Sequence, residues 1–381
     1  MKIGLLTLPL QVNYGGILQC YALQTTLRRM GHDVTLLSSA CHTRKDSIRW
    51  RIKNALRYMA HLAWGYENYI YRPTKAEEAV LRRHIMRFVA DYIQPQTEAL
   101  HTTEDYRRQM LNHNFEALVV GSDQVWRPCY TSSIADYYLK FAEGVNNVRR
   151  VAYAASFGTN KWEYTPEETN ECRRLIREFH AVSVREKGAV GLCRERYDID
   201  AIHVLDPTLL LERADYEALV ASEQKKQREG TLFNYILDPT EKKQSLTASL
   251  ADSLSLTPFG CMPAKSYKVR ENMRQHVEEC CHPPVTQWIR SFMDAEMVIT
   301  DSFHGCVFAI LFNKPFWAIV NEDRGSDRFD SLLKMFHLED RIIIQGKLPE
   351  WDRKIDWEQV NTIHQEMKRR SLDFLEHSLK R

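Results

Sequence analysis

Short apolar runs alternate with amphipathic helical stretches along most of this chain, beginning at the N-terminus. Residues 2–8 form an apolar run that leads into a loop containing Asn13, Tyr14, Gly15 and Gly16. The helical pattern ILQCYALQTTLRRMG and a second apolar run, DVTLLS, follow directly. Strands that alternate with helices of this length are typical of parallel α/β sheets, in which the helices form the crossovers. The first segment therefore predicts a strand, a glycine-containing loop, a helix and a second strand.

A second series of the same kind starts near residue 117. Ala117–Val120 predict a buried strand, and Gly121–Asp123 predict a turn out of it. The series continues through VRRVAYAASFG, HAVSV, GAVGLCRERY and AIHVLDP. A polar stretch through EQKKQREG predicts a linker, and beyond it FNYILD, EMVIT and PFWAIV predict three more strands. An irregular segment with four prolines, residues 258–284, lies between the first two of them.

We expect an α/β fold with two Rossmann-like domains, since 381 residues correspond to about two domains of ordinary size. Residues 1–210 form the first domain, which carries a helical insertion at residues 40–115. Residues 211–381 form the second domain, and its last helix is long enough to reach back over the first. Two such domains facing each other place the strand-to-helix turns of both at their boundary, where open parallel sheets bind ligands.

Composition excludes several classes of protein. The 52 Lys and Arg residues against 50 Asp and Glu give a formal charge of +2, which argues against nucleic acid as the main partner. The nine cysteines are scattered and form no C-x-x-C pair, so neither a metal site nor a disulfide scaffold is expected. Because there is no signal-peptide pattern and no long apolar run, we expect a cytoplasmic protein whose membrane contact, if any, is peripheral at the inner face.

The helical insertion begins with a stretch, residues 44–72, that is both basic and aromatic. One interpretation is peripheral contact with anionic lipid, with the Trp and Tyr side chains at the interface. The other is an inserted helical lid whose cationic face is solvated. The residues concerned are Arg44, Lys45, Arg49, Trp50, Arg51, Lys53, Arg57, Tyr58, Trp64, Tyr66, Tyr69 and Tyr71.

The glycine-containing loop is the first candidate binding element. Gly15 and Gly16 permit close approach of the backbone, and the following helix presents free N–H groups and a positive dipole end to an anion or a sugar hydroxyl. Asn13 and Tyr14 would add side-chain contacts. The alternative is a tight turn without a ligand.

Two further strand ends carry polar candidates. Ser122 and Asp123 follow the strand at 117–120, where Asp123 either binds substrate hydroxyls or caps the next helix. Arg185 follows HAVSV directly and is suited to clamp a phosphate or carboxylate with two parallel N–H bonds. An ion pair with Glu186 or another acid is the alternative for this arginine. Asp206, before a proline, is interpreted as a cap at the domain hinge.

The segment TDSFHG, residues 300–305, combines the features of a catalytic turn. His304 lies at a strand end and at the head of a helix, with Asp301 three positions earlier, and histidine changes charge near neutral pH. A buried structural histidine is the alternative. Further along, Arg324 and Arg328 lie on a loop that enters a helix, where they either bind a phosphate or form a solvated face.

These turns, taken in order, resemble the polysaccharide pyruvyl transferase family. The resemblance rests on NYGGILQCYALQTTLRRMGHDV, VVGSDQVW, SVREKGAV, VLDPTLLL and VITDSFHGCVFAILFNKPFWAIV, and it spans roughly residues 2–330. It implies two Rossmann-like halves in a GT-B-like arrangement. It also implies transfer of an enolpyruvyl-derived group from phosphoenolpyruvate to a sugar of a surface polysaccharide precursor, as a monosaccharide or a lipid-linked glycan, with formation of a pyruvate ketal.

The resemblance also implies roles for particular residues. The family's catalytic histidine corresponds to His304, and its anion-binding arginine corresponds to Arg185. Many members have an arginine where this chain has Ser302, so Arg324 or Arg328 is expected to complete the phosphoenolpyruvate site. The reaction needs an acid, for which His304 is the candidate, and a base such as Asp301, but no cofactor beyond phosphoenolpyruvate as donor.

Two other functions fit the same residues. A GT-B glycosyltransferase that uses a nucleotide sugar would have the same architecture and similar arginines. A glycan- or anion-binding protein without catalytic activity is the second, because a serine occupies position 302.

Overall fold

The computed structural model describes residues 1–40, 48–64, 71–221, 230–320, 327–344 and 349–380. The first of its two sheets has six strands, all parallel, in the order β2-β1-β3-β4-β5-β6. The strands are β1 (Lys2–Leu6), β2 (Asp33–Leu37), β3 (Ala117–Val120), β4 (Arg149–Ala155), β5 (Ala181–Val184) and β6 (Ile202–His203).

Helices connect these strands and cover both faces of the sheet. They are α1 (Tyr14–Arg29), α2 (Ile48–Trp64), α3 (Lys75–Tyr92), α4 (Thr103–His113), α5 (Pro166–Ile176) and α6 (Lys187–Leu192), the last continuing into a π-helical turn at Cys193–Tyr197. Every residue of β3 is fully buried, as expected for a parallel strand with both faces covered. Capping boxes built by Thr74, Thr102 and Thr165 fix the starts of α3, α4 and α5.

The second sheet has four strands, also parallel, in the order β10-β9-β7-β8. The strands are β7 (Leu232–Tyr235), β8 (Pro258–Phe259), β9 (Met297–Thr300) and β10 (Phe316–Ala318). The helices of this half are α7 (Arg213–Val220), α8 (Glu241–Leu254), α9 (Arg270–Gln275), α10 (Val285–Asp294), α11 (Phe303–Leu311), α12 (Asp327–Met335) and α13 (Trp357–Leu379). The predicted α/β class with two Rossmann-like sheets is therefore confirmed.

The strand order creates a switch point in each sheet, where the crossovers change direction. In the first sheet it lies between β1 and β3, and in the second between β7 and β9. Ligands of open parallel sheets bind at the carboxyl ends of the strands that flank such a point. The loops after these four strands all contribute to one cleft between the sheets, the geometry of a GT-B-like arrangement.

Helix α13 returns to the first sheet. The Nε of Arg149 donates to the carbonyl of Ser378 at 2.9 Å, and the Ser371 hydroxyl accepts from the backbone N–H of Leu205 at 3.0 Å. The ring of Phe374 packs against Tyr153. The predicted division between residues 210 and 211 itself stays a prediction.

Two local predictions differ from the structure. The sequence predicts a turn over DSFHG, residues 301–305, and a helix from Cys306, but α11 already begins at Phe303, so His304 is its second residue. The segment expected to be irregular contains β8 and α9. Strand β8 has only two residues and starts with Pro258, too short a run to show alternation. The linker prediction lies largely on residues 222–229, outside the described residues.

Candidate active site

The cleft between the sheets has a volume of about 730 Å³ and is lined from both sides. From the first sheet, the loop before α1 and the bend after β3 contribute. From the second, the loops after β7 and β9, the segment before α9 and the start of α12 contribute. The predicted site residues among its lining are Asn13, Tyr14, Asp123, Asp301, Ser302, His304 and Arg328.

His304 projects from the first turn of α11 into the wall of this cleft. Ser302 is the N-cap residue of the helix, and its hydroxyl accepts from the backbone N–H of Gly305 at 3.4 Å. His304 is 5% exposed, and its Nε2 lies 3.5 Å from Oδ2 of Asp206. Within the described part of the chain, this Nε2 has no hydrogen-bond partner. A buried polar atom left in this state commonly marks a functional position.

Asp206 belongs to the first domain, in the loop after β6, and reaches across to His304. Its Oδ1 accepts from the backbone N–H of Thr208 at 3.0 Å and from the Thr208 hydroxyl at 2.6 Å, so the predicted capping role is present. Its Oδ2 accepts from Nη1 of Arg185 at 2.7 Å. Burial alone would raise the pKa of Asp206, but His304, Arg185 and Thr208 together lower it well below its usual value.

Arg185 is buried at the boundary between the domains and is not among the residues that line the cleft. Its guanidinium donates to Asp206, to Asp123 at 3.3 Å and to Glu186 at 3.2 Å, and its side chain is 1% exposed. Burial opposes the charged form, but the three carboxylates outweigh it and raise the pKa of Arg185. It also lies over the ring of Phe303, 4.4 Å from the centroid. The ion pair with Glu186 considered from the sequence is thus present, and Arg185 orders the acidic groups around it.

The start of α1 packs directly against the imidazole of His304. A Cβ placed on Gly15 would lie 2.0 Å from Nδ1 of His304, so only glycine permits this contact. On Gly16, a Cβ would meet Asn13 at 3.1 Å and Asp123 at 3.4 Å. The N-terminal glycines therefore bring the first turns of α1 and α11 together.

Tyr14 and Asn13 have different roles at this junction. The Tyr14 hydroxyl donates to the carbonyl of Pro283 at 2.8 Å, and its ring stacks on Trp288 with centroids 5.6 Å apart. Tyr14 therefore joins the two domains at one end of the cleft. Asn13 is the N-cap residue of α1, but its side chain makes no capping hydrogen bond and lines the cleft.

Of the two predicted site residues in the bend after β3, Ser122 is part of the buried framework and Asp123 lines the cleft. Ser122 is fully buried, where its backbone N–H donates to Gln19 and its hydroxyl donates to the carbonyl of Ala154 at 2.8 Å. These bonds place Ser122 in the framework of the bend rather than in the predicted binding position. Asp123 lines the cleft and is 5% exposed.

Asp301 lines the cleft, but three hydrogen bonds from its own half of the chain engage its carboxylate. Its Oδ1 accepts from the backbone N–H of Leu237 at 2.7 Å. Its Oδ2 accepts from the N–H of Asp238 at 3.2 Å and from Nζ of Lys243 at 2.6 Å. Asp301 is 1% exposed and holds the loop after β7 against the loop after β9.

Cationic side chains come from the second half of the chain. Arg328, in the first turn of α12, lines the cleft and is 8% exposed, and burial together with nearby Arg185 lowers its pKa. Lys265 and Lys268 also line the cleft. The prediction for Arg324 lies outside the described residues.

Sequence reasoning missed two side chains of this site. Asp206 was interpreted as a cap alone, although it follows a strand of the same sheet as Asp123. His282 lines the cleft beside Tyr14, is 6% exposed, and has no hydrogen-bond partner on either ring nitrogen within the described residues. Burial lowers the pKa of His282 to about 4. It lies in the segment expected to be irregular, and no sequence pattern distinguishes it.

The structure is thus a two-domain α/β protein with parallel sheets and a cleft between them, and a buried histidine, carboxylates and cationic side chains line that cleft. The sequence model for polysaccharide pyruvyl transferase matches residues 13–323. The chain therefore belongs to the polysaccharide pyruvyl transferase family, whose members are transferases.

Several solved structures are similar to this chain over nearly its whole length. UDP-GlcNAc 2-epimerase from Neisseria meningitidis bound to UDP-GlcNAc is 11% identical, with 100% of this chain and 99% of that chain covered and a TM-score of 0.49. S. aureus MnaA in complex with UDP is 14% identical, covering 98% and 90%, with a TM-score of 0.46. MurG from Acinetobacter baumannii is 10% identical, covering 99% and 95%, with a TM-score of 0.42. No curated protein sequence matches the chain significantly.

Proposed function

We propose that this protein transfers the enolpyruvyl-derived group of phosphoenolpyruvate to a sugar of a surface polysaccharide precursor and forms a pyruvate ketal. Membership of the family supports the transfer. The observation that carries the assignment of the site is the position of His304, which lies in the cleft beside Gly15 and 3.5 Å from Asp206.

The walls of the cleft suit the donor. Phosphoenolpyruvate carries a carboxylate and a phosphate, which bind to cationic side chains and to helix N-termini. The first turns of helices α1 and α11 meet at the imidazole of His304, and Arg328 lines the same cleft. We assign Arg328 to the anionic donor, in place of the arginine that many relatives have at position 302.

His304 acts as the acid in the proposed reaction. It donates a proton to C3 of phosphoenolpyruvate, which makes C2 electrophilic. A sugar hydroxyl then bonds to C2, and Asp123 takes the proton of that hydroxyl. The C2–O bond to phosphate breaks, and the phosphate leaves with the proton held by Asp123. A second hydroxyl of the same sugar closes the ketal and returns its proton to His304.

The carboxylates have separate roles in this scheme. Both Asp123 and Asp301 line the cleft, but the oxygens of Asp301 accept three hydrogen bonds, whereas Asp123 accepts a longer one, of 3.3 Å, from Arg185. We therefore assign the base to Asp123. Asp206 is a positioning residue, since its charge stabilises the protonated imidazole of His304 and orients the ring. Proton donation by a positioned acid, the role assigned to His304, typically accelerates a reaction by about 100- to 10,000-fold.

The proposal is tested by incubating the protein with phosphoenolpyruvate and a panel of galactosides, glucosides and mannosides. We expect release of inorganic phosphate together with a glycan mass gain equal to pyruvate less water. The variant His304→Ala should lose both signals by about 100-fold or more. His377→Ala, which alters an exposed histidine of α13, is the matched control and should retain them.

Ligand-induced thermal stabilisation separates this function from its alternatives. Stabilisation by phosphoenolpyruvate but not by nucleotide sugars is expected. The reverse pattern would indicate a nucleotide-sugar glycosyltransferase. Stabilisation by phosphoenolpyruvate without phosphate release from any acceptor in the panel, unchanged in His304→Ala, would indicate a binding protein.

A further inference from the structure

Helix α2 has an apolar stripe that faces away from the protein. Ile52, Leu56 and Met59 are 57%, 65% and 63% exposed, and Ala63 is exposed as well. At about 100° per residue, these four positions fall within an arc of roughly 60° on one face of the helix. The helix has 17 residues and a length of about 25 Å. The stripe is therefore continuous along most of α2.

This clustering is unusual for the molecule. Other large apolar side chains with high exposure, such as Met86 in α3 and Leu111 in α4, occur singly on their helices within the described residues. Single exposed apolar residues are normal on protein surfaces, whereas a contiguous stripe indicates an interaction surface.

The charge of α2 indicates what this surface binds. Its sequence, IRWRIKNALRYMAHLAW, contains four Lys or Arg residues and no Asp or Glu. At about 100° per residue, exposed Lys53 lies about 90° and half-buried Arg57 about 130° from the middle of the stripe, both on the same side, so their long side chains border one edge of it. Helices with an apolar stripe flanked by cations lie in the interface of bilayers that contain anionic lipids.

The position of α2 connects this surface to the cleft. Tyr58, on the side of α2 away from the stripe, lies under the guanidinium of Arg270, whose Cζ is 4.4 Å from the ring centroid. Arg270 begins α9, directly after the cleft-lining residues Lys265 and Lys268. A surface bound by α2 would therefore lie next to one wall of the cleft.

We propose that α2 is an interfacial helix that docks the protein on a bilayer containing anionic phospholipid. Ile52, Leu56 and Met59 enter the boundary between head groups and acyl chains, and Lys53 and Arg57 pair with lipid phosphates. This inference stands independently of the reaction assigned to the cleft, since none of these five side chains lines it.

Co-sedimentation of the full chain with vesicles tests the proposal. Vesicles of phosphatidylcholine with phosphatidylglycerol should bind the protein, and vesicles of phosphatidylcholine alone should bind it at least about tenfold more weakly. The double variant Leu56→Ser/Met59→Ser should lower binding to the anionic vesicles by at least about tenfold. The control Met86→Ser/Leu111→Ser makes the same two changes of residue type at positions elsewhere that are 43% and 51% exposed, and it should bind as the unchanged protein does.

Three results would overturn the inference. The first is that the protein does not bind the anionic vesicles. The second is that the control variant loses as much vesicle binding as Leu56→Ser/Met59→Ser does. The third is a concentration-dependent dimer in solution that Leu56→Ser/Met59→Ser dissociates. The last would show that the stripe binds a second copy of the chain. Phosphate release with a water-soluble glycoside should be unchanged in the double variant, so that failure of docking and failure of the proposed reaction are distinguishable.

Discussion

Asp206 Oδ2 lies 3.5 Å from His304 Nε2. Asp206 lies in the loop after β6 of the first sheet, and His304 lies in the first turn of α11, which follows β9 of the second sheet. A carboxylate and an imidazole paired across a domain boundary are brought together only when the two domains adopt this packing. The pair therefore depends on the fold as a whole, and it is fixed on one side by Thr208 and Arg185 and on the other by the start of α11.

The first prediction concerns the charge of Asp206. In Asp206→Asn the amide no longer stabilises a protonated imidazole, so phosphate release should fall by about a hundredfold or more. The measurement is kcat for phosphate release in the two proteins. Thr208→Val removes a hydrogen bond to Asp206 but keeps its charge, so its kcat should stay close to that of the unchanged protein. An equal fall in both variants would show that the charge of Asp206 is not what matters.

The second prediction concerns the contact between Gly15 and His304. A methyl group at position 15 would lie 2.0 Å from Nδ1, so Gly15→Ala must displace the imidazole or separate the helix starts. A displacement of about 1 Å at a catalytic group costs on the order of 100-fold in rate. We expect such a loss of kcat with an unchanged circular dichroism spectrum.

Gly191→Ala is the control for this variant. Gly191 lies in α6, and a Cβ there would have no heavy atom within 4 Å, so activity should be retained. Full activity in Gly15→Ala would show that His304 does not need its present position.

The third prediction concerns donor binding by Arg328. Loss of a charge-assisted hydrogen bond costs about 1.5–3 kcal/mol, so Arg328→Gln should raise the KM for phosphoenolpyruvate by roughly 10- to 100-fold. The effect on kcat should be smaller. Arg369→Gln, at an exposed position of α13, should leave both constants unchanged. A fall in kcat with constant KM would place Arg328 outside the donor site.

Much of this architecture follows from local sequence. The alternation of apolar runs with helical patterns predicts both parallel sheets, and the position of His304 after a strand predicts a place at the cleft, since strand ends of open sheets meet ligands. The exact start of α11 did not follow from the sequence, because the turn was expected to extend through Gly305, whereas Ser302 caps the helix and Phe303 is its first residue.

The orientation of charged side chains was not predictable in the same way. Arg185 follows a buried strand, and that position suits either a clamp in the cleft or an ion pair below it. Its direction is decided by Asp123, Glu186 and Asp206, three carboxylates that come together only in the folded first domain. Contacts between residues far apart in the chain leave no periodic pattern.

The fourth prediction follows from this cluster of charges. Arg185→Met would leave three buried carboxylates without their shared cation, and loss of one partner from a buried pair costs about 3–5 kcal/mol. Urea denaturation should show this fall in the free energy of unfolding. Arg194→Met breaks an ion pair with Asp200 in which both side chains are largely exposed, and it should cause no measurable change. Equal effects of the two variants would contradict the structural role of Arg185.

The last prediction concerns the acid stability of the protein. Burial lowers the pKa of His282 to about 4, whereas an unfolded chain binds the same proton near pH 6.5. Between these values the unfolded state holds more protons, so the contribution of His282 to stability is complete above about pH 6.5 and is lost as the pH falls towards 4. His282→Phe keeps an aromatic ring beside Tyr14 without a titrating group.

Denaturation midpoints in urea at pH 7.5 and 5 measure this contribution. Between pH 7.5 and 5 the free energy of unfolding should fall less in His282→Phe than in the unchanged protein. The difference should be up to about 1.4 kcal/mol for each pH unit below 6.5. His113→Phe, at an exposed position of α4, should keep the pH dependence of the unchanged protein. An identical pH dependence in all three proteins would show that His282 takes up its proton as readily in the folded cleft as in the unfolded chain.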